Sequence, residues 1–204
     1  ILHAIGHEIR SPLQALSALH PNEDDLEQRY ISRMMRAIRA LYGETSPADA
    51  FGDASINEEI VELSEFLQTI TNNAPYSDIG DVAFVSSDSA VVKVDPSALE
   101  DVLEHILSNA AGFRDSGTPI NLSLQRDGAM AVVRISNTGP RIPLNLLETI
   151  FEYGFSSRQQ QSSSIGRGQG LFVSRTYLSK MGSTIQARNI EHGVEFEIRI
   201  PTFH

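Results

Sequence analysis

The apolar residues of this chain repeat at one period near its start and at another near its end, and that change limits the architectures open to it. In "ILHAIGHEIRSPLQALSALH", Ile5, Ile9, Leu13, Leu16 and Leu19 recur at steps of four, four, three and three, one stripe of a 3.6-residue helix. In "GVEFEIRI", Val194, Phe196, Ile198 and Ile200 recur at steps of two, the inward face of a half-buried strand. A chain that carries both patterns needs layers of both kinds, and the α+β class follows.

The first stripe ends at "HPNEDD". A second helical pattern, "LEQRYISRMMRAIRALYG", places Leu26, Tyr30, Ile31, Met34, Met35, Ile38 and Leu41 on its apolar side. Two helices joined by a short loop make an antiparallel hairpin. Such a hairpin cannot bury two apolar faces alone, so it is expected to dimerise into a four-helix bundle. "GETSPADAFGDAS" has linker composition. The expected organisation is a helical hairpin over 1–47, a linker over 48–57 and an α/β sandwich over 58–204. In the last part a helix is predicted from about Asn57 to Ile70, then strands "VAFVS" and "VVKV", then a helix opening at Pro96, where proline suits a first turn. "INLSLQ" and "AMAVVRIS" follow as strands around the turn "RDG", and "STIQARN" and "GVEFEIRI" close the chain as a further pair. One sheet layer under one helix layer is expected. "QQQSSS" reads as a loop.

Composition narrows the function. Sixteen basic against 26 acidic residues argue against nucleic acid as a partner, because phosphate-backbone affinity needs a concentrated basic face. The chain has no cysteine, which excludes disulfides, thiolate metal sites and thiol nucleophiles and fits a reducing compartment. No apolar run reaches the 18 or so residues of a membrane span. A soluble, cytoplasmic chain without direct membrane contact is expected, either as such or as the cytoplasmic part of a membrane-bound protein.

Three polar constellations stand out. On the helix "PSALEDVLEHILSNAAGF", Leu99, Val102, Leu103, Ile106, Ala110 and Phe113 form the expected buried side. Asp101, His105, Asn109 and Gly112 line a strip beside it. Asn109 reads either as a capping or solvated residue or as an oxygen donor to Mg²⁺. "ISNTGPRIP" runs an apolar strand into a turn at Gly139 and Pro140. "SIGRGQGLF" sets Gly166, Gly168 and Gly170 at the opening of an amphipathic helix, where side-chain-free backbone with unpaired N–H groups suits phosphate. Polar residues precede these glycines in place of the apolar strand of a dinucleotide fingerprint, so the segment reads as a lid.

In order and spacing these segments resemble the core of the sensor histidine kinases of two-component signalling, over nearly the whole chain. "HEIRSPL" resembles the family's phosphoacceptor H box, "HILSNAAGF" its N box, "NTGPRIP" its G1 box, "FEYGF" its F box and "GRGQGL" its G2 box. The resemblance implies a dimerising phosphotransfer hairpin followed by an ATP-binding domain of the GHKL type. His7 would be the phosphoacceptor, attacking the γ-phosphoryl of ATP. Glu8 would accept the imidazole proton, Ser11 would position water for dephosphorylating a partner regulator, and Pro12 would kink the helix. Asn109 would hold Mg²⁺, Gly139 would admit the base, and Gly166, Gly168 and Gly170 would let the lid close. Phe151 and Phe155 read as packing residues that seat the lid. Arg158 and Arg167 are candidates for phosphate contacts, with solvated loop arginines as the alternative. The implied partners are a second copy of the hairpin and the receiver domain of a response regulator.

The chain departs from the family's pattern at several positions. Asn137 stands where the G1 box has an aspartate that accepts from the adenine amino group. Arg141 replaces the second G1 glycine, His105 the first N-box asparagine, Gly112 a lysine and Gln169 a leucine. Two readings follow: an ATP-dependent protein-histidine kinase, or a phosphotransfer adaptor whose second domain binds no nucleotide. A chaperone-like or mismatch-repair ATPase would leave the hairpin unexplained. The family's first helix extends further upstream than this chain does, so a piece of a longer protein is expected.

Overall fold

The chain divides into two compact units, Ile1–Ser55 and Ile56–His204. The computed structural model describes residues 56–74, 79–152, 155 and 170–203. The predicted hairpin, with His7, Glu8, Ser11 and Pro12, lies outside the described residues, as do Arg158, Gly166, Arg167, Gly168 and Gln169.

The described part is a mixed α+β sandwich. In chain order it runs β1 (Glu59–Glu62), α1 (Leu63–Asn73), β2 (Val82–Ser86), β3 (Val91–Val94), α2 (Pro96–Phe113), β4 (Ile120–Asp127), β5 (Met130–Thr138), α3 (Gly170–Lys180), β6 (Thr184–Ile190) and β7 (Gly193–Pro201). Short 3-10 turns at Leu144–Leu146 and Thr149–Phe151 follow β5. Five strands form one sheet in the order β2-β4-β5-β7-β6, with β2 parallel to β4 and the other neighbours antiparallel. β1 and β3 form a separate antiparallel pair.

This small pair corrects the predicted helix over 57–70. "EIVE" adds two adjacent β-branched residues to a strand that matches "VVKV" in register, Glu59 opposite Val94 and Glu62 opposite Val91. The helix starts four residues later, where Glu62 caps it by accepting from the Glu65 N–H at 2.7 Å. Ile60, predicted on the apolar helix stripe, is consequently exposed, whereas Leu63 and Leu67 are fully buried. Burial works to raise the Glu62 carboxyl. The hydrogen bonds from Glu65 N–H and the Ser89 hydroxyl outweigh it and hold the group below its ordinary value.

α2 is the central helix. Asp95 caps it, accepting from Ala98 N–H at 3.0 Å and, through its other oxygen, from Asn57 N–H at 3.1 Å. Leu99, Val102, Leu103, Ile106 and Ala110 are buried as predicted, and Leu107 joins them. Phe113 does not: it sits at the helix end and is 37% exposed. The stripe is wider than the sequence pattern suggested because α2 packs on α3 as well as on β4 and β5.

Strand alternation assigns the inner face of the sheet. Leu122, Leu124, Ala131, Val133, Ile135, Phe196, Ile198 and Ile200 share one core with α1, α2 and α3. Register pairs Val133 with Leu124 and Ile198, and Ile135 with Leu122 and Phe196. Phe151, in the 3-10 turn after β5, meets Phe196 edge-on at 6.3 Å between ring centroids, and the Arg175 guanidinium of α3 lies 5.4 Å from its ring centre. It is a core residue that ties α3 to β7, and Phe155 packs against the same core.

Candidate functional site

β5 keeps its alternation to the end, so Asn137 is the next inward-facing residue after Ala131, Val133 and Ile135, opposite Val194 in register. It is 3% exposed. A buried carboxamide needs its hydrogen bonds met, and Asn137 Nδ2 donates to the Thr138 carbonyl at 3.0 Å. That carbonyl can only accept, so the amide is fixed with Nδ2 toward it and Oδ1 as the acceptor on its other side. The Thr138 carbonyl also accepts from Asp115 N–H at 3.0 Å. The Thr138 hydroxyl donates to that of Thr118 at 2.8 Å, which in turn donates to the Asp115 carbonyl at 2.8 Å. The loop after α2 thereby holds the end of β5.

Gly139 follows with φ of +145°. A β-carbon there would collide with the Phe113 carbonyl oxygen at the end of α2, so only glycine admits this approach of turn and helix. On the other side, a β-carbon at Gly193 would collide with the Asn137 carbonyl. The end of β5 is thus enclosed between the C-terminus of α2 and the β6–β7 hairpin. Asn109 lies one helical turn before Phe113 and is half-buried. A further turn back, His105 faces α3: a β-carbon at Gly170 would stand 3.6 Å from its Cγ. The face of α2 that carries His105 and Asn109 therefore borders the Gly139 turn at one end and the first residue of α3 at the other. Of the sequence-predicted site residues, His105, Asn109, Asn137, Gly139 and Gly170 are described and lie along this helix and the elements that flank it.

Arg141 is not a free cation. Its Nε donates to the Ile190 carbonyl at 3.0 Å and its Nη2 to the Glu191 carbonyl at 2.6 Å. Asn189, which sequence reasoning missed, exchanges hydrogen bonds with Ile142, its Oδ1 accepting from Ile142 N–H at 2.9 Å and its Nδ2 donating to the Ile142 carbonyl at 2.7 Å. The signal available was an asparagine just ahead of a turn, in "ARNIEHG".

Among the described residues no group of three or more His, Cys, Asp or Glu side chains could cage a metal. Mg²⁺ needs no such cage, since it keeps water and substrate phosphate oxygens, and the Asn109 carboxamide oxygen fits it as a protein ligand. No helix among the described residues is long and apolar enough to cross a membrane.

A helix-covered mixed sheet with a buried polar acceptor at the end of a central strand, and a glycine turn pressed against the helix terminus, defines a nucleotide-site architecture of the GHKL type. Residues 94–204 match the family described as histidine kinase-, DNA gyrase B- and HSP90-like ATPases, and the chain belongs to that family. Along its length it is homologous to sensor histidine kinases. It is 24% identical over 220 residues to the signal transduction histidine-protein kinase AfsQ2 of Streptomyces coelicolor, covering 97% of this chain and 40% of that protein. It is 28% identical over 205 residues to the sensor histidine kinase GtrS of Pseudomonas aeruginosa, covering 98% of this chain and 41% of that protein. The chain thus spans about two fifths of the length of these relatives. Full-length ShkA, solved in complex with AMPPNP, shares the fold with a TM-score of 0.66 at 20% identity, covering 98% of this chain and 45% of that one.

Proposed function

We propose that this chain is the phosphotransfer and catalytic part of a protein-histidine kinase, autophosphorylating His7 from ATP and passing the phosphoryl group to an aspartate of a response regulator. The observation that carries the reading is the buried Asn137 amide. One N–H of its Nδ2 is engaged by the Thr138 carbonyl and its Oδ1 acceptor remains for the 6-amino group of adenine, beside a turn that only glycine can form. Loss of the family's carboxylate removes charge assistance, on the order of 1 kcal/mol, and leaves the hydrogen bond itself. Asn109 would hold Mg²⁺, which supplies neutralisation of triphosphate charge. His105 and Gly170 would flank the nucleotide, and Gly166, Gly168 and Arg167 would belong to the lid over it.

In the transfer, an imidazole nitrogen of His7 forms a bond to the γ-phosphorus as the bond to the bridging oxygen breaks and ADP leaves. Glu8 takes the proton from the other ring nitrogen, so the phosphohistidine forms without a buried cation. Ser11, one turn along the same predicted helix, orients water for regulator dephosphorylation. Residues 1–47 would supply the dimer and the regulator-docking surface, and the chain would act in the cytoplasm, without membrane contact or nucleic acid of its own. The adaptor reading rested on Asn137 and Arg141. Asn137 retains an acceptor and Arg141 is engaged by the Ile190 and Glu191 carbonyls, which favours the kinase.

Incubation of the chain with radiolabelled ATP and Mg²⁺ tests the reading. Acid-labile label is expected on wild type and not on His7→Ala. Label that survives the substitution displaces the assignment of His7. An unlabelled wild type that binds no nucleotide returns the adaptor.

A further inference from the structure

The turn that follows β5 and the β6–β7 hairpin are joined by five hydrogen bonds between segments some fifty residues apart in sequence. Gly139 N–H donates to the His192 carbonyl at 3.0 Å. Asn189 and Ile142 form their reciprocal pair, and Arg141 contacts the carbonyls of Ile190 and Glu191. Side chains supply four of the five. The hairpin tip is otherwise exposed, with the Glu191 and His192 side chains 86% and 78% accessible. The β6–β7 ladder runs up to the tip, pairing Ile190 with Gly193, so the five bonds bear on how the tip sits against the 139–142 turn, and that position matters: Gly193, the next residue, packs so closely on the Asn137 carbonyl that a side chain would not fit.

We propose that Arg141 is a positioning residue for nucleotide binding, locking the 139–142 turn to the 189–192 hairpin tip so that Asn137 and Gly139 are held in place before the nucleotide arrives. The inference rests on the nucleotide-binding reading above and adds to it a residue that the family's pattern does not contain. A planar guanidinium presents donors in a fixed fork to two neighbouring carbonyls at once, whereas glycine has no side-chain donor and an ammonium group lacks the fork. Fixing a loop in its bound arrangement removes an ordering cost that binding would otherwise carry. Where the family's pattern has a second, permissive glycine, this chain has a clamp.

The test compares ADP affinity of the whole chain by calorimetry for wild type, Arg141→Ala, Arg141→Lys and Asn189→Ala. Amide hydrogen exchange at Gly139 and Ile142 without nucleotide and thermal midpoints are measured beside it. Arg141→Ala is expected to weaken ADP about ten-fold and to speed exchange at both amides, with little change in midpoint because the side chain is on the surface. Arg141→Lys should fall between, and Asn189→Ala should act in the same direction through Ile142. A purely structural role would lower the midpoint and leave the affinity of the folded protein alone. Equal affinities with unchanged exchange, while wild type binds ADP, overturn the clamp and leave the nucleotide reading standing. A wild type that binds no ADP overturns both.

Discussion

The two faces of the five-stranded sheet are built from alternate residues of the same strands, yet they obey different physics. The inner face is hydrocarbon against hydrocarbon, with Val133, Ile135, Phe196 and Ile198 packed under the helices. The outer face is a lattice of ion pairs. Arg134 Nε donates to Glu197 at 2.9 Å, Arg199 contacts Glu197 and Asp127, and Arg188 contacts Glu195. On that outer side Val132, between Gln125 and Arg199 in register, is apolar and yet has no exposed surface. The stems of long polar side chains cover it. A buried polar residue on the inner face is the mirror-image exception, and among the described strand residues Asn137 is that residue. Binding is read from the face on which polarity is costly, because only a function or a fully met hydrogen-bond set keeps it there.

The sharpest way to break this contrast is a cavity on the inner face. Ile198 is fully buried between Val133 and Ile185 in register, so Ile198→Ala should cost about 3 kcal/mol of unfolding free energy. Urea denaturation checks it. A loss below about 1 kcal/mol would mean that the inner face is not a close-packed core.

Next in size is the effect at the inner face's polar end. Asn137→Ala removes one acceptor from the base and should weaken ADP about ten-fold. Stability should fall by less, because the Thr138 carbonyl keeps its bond from Asp115 N–H. The fixed amide also predicts a preference among bases. Guanine offers an oxygen where adenine offers an amino group, so wild type should bind ADP at least about ten-fold more tightly than GDP. Equal binding of the two diphosphates would show an amide free to turn over.

Much of this was legible in the chain. The turn signal "RDG" marked β4 and β5, period-two alternation marked the closing pair β6 and β7, and Pro96 marked the start of α2. The motif order placed Asn109, Asn137 and Gly139 together before any geometry was known. What escaped the sequence was pairing. "EIVE" continues a helical stripe by period, and only the presence of "VVKV" as a partner makes it a strand, a non-local fact that propensity does not carry. Phe113 fitted the buried stripe by spacing, but the helix ends there and its carbonyl meets Gly139 instead. Arg141 looked like a disruption of a glycine pattern, since the carbonyls that receive it are fifty residues away. Asn189 carried no signal beyond a residue type common before turns.

The smallest predicted effect belongs to the outer lattice. Burial acts to raise the Glu197 carboxyl. Hydrogen bonds and charge from Arg134 and Arg199 outweigh it and leave the group below the ordinary glutamate range. The folded pKa is therefore lower than the unfolded one. The contribution of Glu197 to stability is fully present above about pH 4.3, the unfolded value, and is lost as pH falls through the folded value. The pairs are partly solvated, so Glu197→Gln should cost about 1 kcal/mol or less at neutral pH. In strong acid, where the wild-type carboxyl is itself protonated, the difference between the two proteins should shrink toward zero. Urea midpoints for both proteins at neutral pH and at about pH 3 measure this. A cost that stays constant through that range would assign Glu197 a packing role in place of an electrostatic one, and would make the outer face more like the inner face than its charges suggest.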